Sequence, residues 1–217
     1  MADSETNRTL PPITHRNLLS TAVALLSAYD AKPRSEVSRE DPQLDAALLC
    51  WQEWATAQAR LTQLNDTQSR LEKAMAREVL PAHVMLEVLE RPAPVFAETD
   101  EEIHHWMKGP HYKKARLSAK TELGKRRAAW NAADIRIGFT KAKRAEEAAA
   151  DRSAQLSDEL LDLPASSVAG LAAKLHVVIT DGQPGPDNGE FPWPQLRLIL
   201  LDIVRLLNAG PAVADPP

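Results

Sequence analysis

No proline occurs between Pro110 and Pro164, and proline is the residue that most reliably ends a helix, because it lacks the N–H and clashes with the preceding turn. The stretch from Lys108 to about Leu163 therefore reads as one very long helix, interrupted at most once. Gly138 is the candidate kink, since a mid-helix glycine costs about 1 kcal/mol relative to alanine. From Lys108 to Arg144 there are 12 Lys/Arg against Glu122 and Asp134, a local balance of +10 in a chain whose net charge is −4. The rest of the chain is therefore strongly acidic, and this asymmetry is the most chemically pointed feature of the sequence.

A second long helix is expected from about 42 to 80. Asp41-Pro42 has the form of an N-cap followed by proline at the first helical position, and Pro81 stops the run. At 1.5 Å per residue this element is roughly 57 Å long. Leu44, Leu48, Trp51, Ala55, Leu61, Leu64, Leu71 and Met75 keep an apolar stripe at coiled-coil-like spacing, with Gln58 and Gln68 interrupting it. In the basic helix the positions Leu117, Thr121, Ala128, Ile135, Ala142, Ala149, Leu156 and Leu163 recur nearly every seven residues. They are expected to lie against the 42–80 helix, with the basic side chains on either side.

The remaining elements follow from capping and stop signals. Thr14 suits the N-cap of a helix to about Tyr29, a short helix is expected around His83–Glu90, and Thr99-Asp100-Glu101-Glu102 has the form of a capping box. Gly109-Pro110 breaks the chain before the basic helix. Ser166 or Ser167 can cap a helix of about 167–180, and an apolar helix of about 193–208 follows a Gly/Pro-rich loop. Residues 1–13 and 209–217 are expected to be disordered. With abundant Ala and Leu and few β-branched runs, the expected fold is all-α. It is a single domain over 14–208, an elongated bundle built on a coiled-coil-like antiparallel hairpin (42–80 and 111–162), with short helices packed on it.

The run Leu163-Pro164-Ala165-Ser166-Ser167-Val168-Ala169-Gly170-Leu171-Ala172-Ala173-Lys174 resembles a segment of uncharacterised helical proteins of alphaproteobacterial genomes and their prophages. There it follows a long helical hairpin and precedes a final apolar helix. The Asp41-Pro42 opening and the region of Trp51 are similar in kind. The resemblance implies the helical fold but no activity, and it carries over no functional residue.

Chemistry-bearing motifs are sparse. Cys50 is the sole cysteine, which excludes an internal disulfide, and it sits beside Trp51 where a buried inert thiol is the usual case. Neither a Gly-x-Ser-x-Gly elbow nor a Gly-rich phosphate loop occurs, and the acidic residues of the 181–190 loop lack the order of a calcium-binding loop. The overlapping Glu101-x-x-His104 and Glu102-x-x-His105 pair a carboxylate with an imidazole, as in di-iron bundles, but no Glu-x-x-His occurs elsewhere in the sequence to supply the second motif such a site needs.

The leading expectation is thus a non-enzymatic helical structural or protein-interaction module without a cofactor. Its partner would be another protein or a second copy, as a homodimer. The alternative is a nucleic-acid-associated protein using Lys113, Lys114, Arg116, Lys120, Lys125, Arg126 and Arg127 as phosphate contacts. A metal-dependent enzyme around His104 and His105 is the third reading. With no long apolar run and no secretory signal, a cytoplasmic protein with no membrane association is expected.

Overall fold

The computed structural model describes residues 17–29, 45–89, 91–185 and 187–209. The Thr14 and Asp41-Pro42 signals, the expected disordered residues 1–13 and all of the expected disordered tail except Ala209 fall outside these residues; Ala209 is the last residue of a helix. The described chain is mostly helical, in the order α1 (Leu18–Tyr29), α2 (Ala46–Glu78), β1 (Val84–Leu86), β2 (Val95–Ala97), α3 (Asp100–Trp106), α4 (Lys113–Ile137), α5 (Phe139–Asp162), α6 (Val168–Gly182) and α7 (Trp193–Ala209). No described helix is long and apolar enough to cross a membrane. The chain forms two compact units, one of Met1–Ala59 with Asp151–Pro217, the other Arg60–Ala150.

In the first unit Leu18, Ala22 and Leu26 of α1, Trp51 and Trp54 of α2, and Leu156 and Leu160 of α5 form one core with Ala169, Ala172, Ala173, Val177, Leu200 and Val204 of α6 and α7. The first turns of α2 lie antiparallel to the last turns of α5. Cys50 Sγ donates to the Leu156 carbonyl at 3.7 Å, and Arg152 meets Glu53 at 3.4 Å. Arg197, also buried, donates to Gln183 Oε1 at 2.9 Å and to the Asn188 carbonyl at 2.7 Å, which holds the 183–192 loop against α7.

The start of α2 is set by Asp45. Its Oδ1 accepts from the backbone N–H of Ala47 (2.9 Å) and Leu48 (3.3 Å), the geometry of an N-cap. Its Oδ2 accepts from the Ser166 N–H (3.0 Å) and the Ser167 hydroxyl (2.7 Å), 121 and 122 residues away. Ser167 Oγ in turn accepts from the Gly170 N–H at 3.0 Å, capping α6. Two helix starts therefore share one carboxylate. Burial alone would raise the Asp45 carboxyl. The hydrogen bonds from Ser167 and from the backbone of Leu48, Ala47 and Ser166 outweigh it and hold the group below its ordinary value. Only glycine fits at 170, since a Cβ there would lie 2.3 Å from Asp45 Oδ2.

Beside this junction His176 is 3% exposed, edge-on to both Trp51 and Trp54 at centroid distances of 5.8 and 5.6 Å. Trp51 Nε1 donates to His176 Nδ1 at 3.4 Å, which makes Nδ1 the acceptor of a neutral imidazole. Burial pushes its pKa down to about 4, against a smaller opposing pull from the Leu19 backbone.

In the second unit the expected helix around His83–Glu90 is replaced by a two-stranded antiparallel sheet, with Val84 opposite Ala97, Met85 opposite Phe96 and Leu86 opposite Val95. Val84-Met85-Leu86 alternates inward, outward, inward, a period of two that a helix cannot use. Pro92 and Pro94, within the connector, favour extended backbone before β2. Val84, Leu86, Ala97, Ile103, Met107 and Leu123 make the core of this unit. The long basic helix is divided at Gly138, which adopts φ 83° and caps α4, its N–H bonded to the Asp134 carbonyl at 2.7 Å.

Two outcomes are expected. Gly170→Ala, forcing the Asp45 carboxylate away from both caps, lowers the unfolding free energy by roughly 2–3 kcal/mol in urea titrations. For His176, the unfolded imidazole titrates at 6.5 and the folded one at about 4, so the unfolded chain binds the proton first as pH falls. The associated stability is complete above pH 6.5 and is lost down to pH 4, by roughly 3 kcal/mol in all. A pH series of urea midpoints should show that loss, and His176→Gln should flatten it.

Candidate docking surface on the basic helix

The approach to α4 is fixed by short-range chemistry. Thr99 and Glu102 form the expected capping box of α3. The Thr99 hydroxyl accepts from the Glu102 N–H at 3.1 Å, and Glu102 Oε2 accepts from the Glu98 and Thr99 N–H groups at 2.6 and 3.3 Å. Gly109, at φ 100°, then turns the chain into a single 3-10 turn from which α4 springs. Leu123 and Ala133 are the buried residues of α4, and Leu123 joins the core with Val84, Leu86, Ile103 and Met107.

Four of the seven candidate basic residues are used within the chain. Arg116 donates to the Met107 carbonyl at the end of α3 (2.8 Å), and Arg126 to the His83 carbonyl (2.9 Å) and Glu122 Oε1 (2.8 Å). Arg127 donates to the Glu98 carbonyl, and Lys120 pairs with Asp100 at 3.2 Å. A guanidinium has several donors in a fixed fork, so it can fasten a loop to a helix where an acidic neighbour is missing. Lys113, Lys114 and Lys125 are exposed and make no hydrogen bond or ion pair among the described residues. Further along, Arg136 pairs with Glu78, and Lys143 approaches Glu147 at 4.0 Å.

The expected seam of this helix is in the opposite place. Leu117 is 69% exposed and Ile135 86% exposed, and Thr121 and Ala128 between them are exposed as well. The α4 residues of the seven-residue stripe thus face outward instead of packing on α2. A strict heptad drifts by about 20° per repeat around a straight helix, and Gly138 breaks the helix before the stripe reaches the core at Leu156. With exposed Gly124 and Asn131 included, the outward row runs Leu117, Thr121, Gly124, Ala128, Asn131, Ile135. Its spacing alternates four and three, as in a coiled-coil seam. A Cβ at Gly124 would have nothing within 4 Å, so no close contact within the chain requires glycine there.

A groove of about 480 Å³ lies between β1 and α4 and includes Leu86, Met107, Tyr112 and Ala119 in its wall. Its charged residues are Glu87, Glu122 and Arg126, and the last two are paired. Tyr112 accepts from the Leu89 N–H at 2.8 Å.

The histidine motif does not assemble. His104 and His105 are exposed, the Glu102 carboxylate is taken by the cap, and His105 lies edge-on to Trp106 at 5.0 Å. Among the described residues no three His, Cys, Asp or Glu side chains are placed to hold a metal. The Cys50 thiol is pushed up by burial and by Glu159 and Glu53, with Arg152 opposing, and so stays protonated.

The two kinds of cation should separate on substitution. Arg126→Gln, which loses a fastening to His83 and Glu122, is expected to cost roughly 1–2 kcal/mol in thermal or urea unfolding, while Lys125→Gln stays within about 0.5 kcal/mol of the parent.

Comparison with known protein families, curated proteins and solved structures finds no match to this chain.

Proposed function

We propose that this chain is a non-enzymatic helical protein-interaction module whose working surface is the outer face of α4. The observation that carries this reading is the exposed 4-3-4-3-4 row from Leu117 to Ile135, with large apolar side chains at both ends. A scattered exposed leucine needs no explanation, but a row of seam positions facing water does. The non-enzymatic part is supported by how the polar groups are employed: Glu102 in a cap, Glu122 on Arg126, Asp45 in two helix starts. The antiparallel hairpin expected from helix lengths is supported within the first unit by Cys50–Leu156 and Arg152–Glu53.

The nucleic-acid reading retains Lys113, Lys114 and Lys125, whereas Arg116, Arg126 and Arg127 are committed to the chain's own carbonyls. An anisotropy titration with duplex and single-stranded nucleic acid at two salt concentrations separates the two. The expected result is no steeply salt-dependent binding. A photo-crosslinking residue at 117 or 135 should capture the same protein in the producing cell, and one at Asp66 should not. Salt-dependent nucleic-acid binding that disappears with Lys113, Lys114 and Lys125 changed to Gln would overturn the proposal.

A further inference from the structure

Resting on that reading, we propose that the partner presents an acidic amphipathic helix, which lies along α4 with its own apolar seam on the row Leu117–Ile135. The charge pattern beside the seam selects it. The positions flanking the row are Lys113, Ser118, Lys120, Lys125, Arg127, Ala132 and Asp134. Every charge among them up to Arg127 is positive. The one acid, Asp134, spends an oxygen on the Thr140 N–H at 2.7 Å. In paired helices these flanking rows face each other, so like charges repel and opposite charges set partner choice. Lys113 and Lys125 have no partner among the described residues, and the exposed Lys120–Asp100 pair is of a kind that contributes little to stability and exchanges readily.

The same pattern argues against two other occupants. A second copy laid face to face would bring four basic positions of each row together, with Asp134 as the one flanking acid to offset the repulsion. A lipid surface needs a broad apolar face, yet the two large side chains stand about 27 Å apart along α4, with Thr121, Gly124, Ala128 and Asn131 between them. That centre is shaped for close approach: Gly124 and Ala128 leave space that large side chains of a facing helix fill, and Asn131 supplies one polar position to fix register. The acidic stretch of the partner therefore faces Lys113 to Arg127, and its neutral end faces Asn131 to Ile135.

The test uses the full chain and three synthetic four-heptad peptides with leucine at both seam positions and Glu, Gln or Lys at the flanking positions. Their binding is followed by anisotropy at two salt concentrations. The Glu peptide should bind at least about tenfold more tightly than the Gln or Lys peptides, and less tightly as salt rises. Leu117→Ser with Ile135→Ser should weaken it by about tenfold or more, and Lys113→Glu with Lys125→Glu should move the preference to the Lys peptide. All of these are exposed residues, so circular dichroism of the variants should be unchanged.

Equal binding of the three peptides, or Glu-peptide binding indifferent to positions 117 and 135, overturns the acidic helix. So does concentration-dependent dimerisation seen in sedimentation and abolished by Ile135→Asn, which would assign the face to a second copy. Binding to anionic vesicles that is lost in the Leu117 and Ile135 variants would assign it to lipid. If crosslinks at 117 and 135 capture a protein that the Glu peptide does not displace, the interaction reading survives and the acidic partner falls. If neither crosslinks nor peptides report on the face, both fall.

Discussion

Four donors from two distant parts of the chain converge on the Asp45 carboxylate, and the geometry of the first unit depends on that convergence. Each helix begins with N–H groups that find no partner inside it, and here one side chain serves the starts of both α2 and α6, directly and through Ser167. Asp45 is only 8% exposed, and its charge is made tolerable by the four donors that meet it. The close contact with Gly170 follows from the same demand. With α2 and α6 fixed at their origins, Trp51, Trp54 and His176 are brought edge to edge in the core. That aromatic group lies on the same two helices that share the cap, and the Trp51–His176 hydrogen bond joins them a second time.

In the second unit the cations divide by side-chain chemistry. The three arginines Arg116, Arg126 and Arg127 reach backbone carbonyls of the segments before α4, binding a short sheet and a seven-residue helix to a long one. A small unit with few large apolar residues gains order from such charged hydrogen bonds. The lysines Lys113, Lys114 and Lys125, compact and strongly hydrated, stay in water. What looks in sequence like one block of +10 is therefore two populations. One is internal mortar; the other is a sparse fringe of positive charge around an apolar row.

Much of the helical framework could be read from local signals. The Thr99–Glu102 capping box, Ser167 as a cap, Pro81 and Pro164 as stops, and Trp193 as the start of α7 depend on residues within a few positions of each other. Asp45 could not be found this way, because half of its partners lie more than 120 residues along the chain. His176 was silent for the same reason: its surroundings come from α2. The sheet was missed because three-residue strands carry too little alternation to compete with a helical reading of His83–Glu90. At the candidate surface the seven-residue period was legible and its direction was not. Periodicity says that a stripe exists, while the side facing inward depends on Leu123, Ala133 and the reach of the arginines.

Gly138 gives that stripe a double life. On α4 its residues stand in water, and after the left-handed residue the same repeat continues through α5 to Leu156 in the core. The left-handed conformation of Gly138 ends α4 immediately before α5 begins at Phe139. On α5 the copies Ala142 and Ala149 are half-buried and Leu156 is packed in the core, where a lost methyl group is felt at once. The α4 copies are exposed and join no buried cluster among the described residues. A single backbone conformation thus divides one repeating pattern between an exposed helix face and a residue of the core.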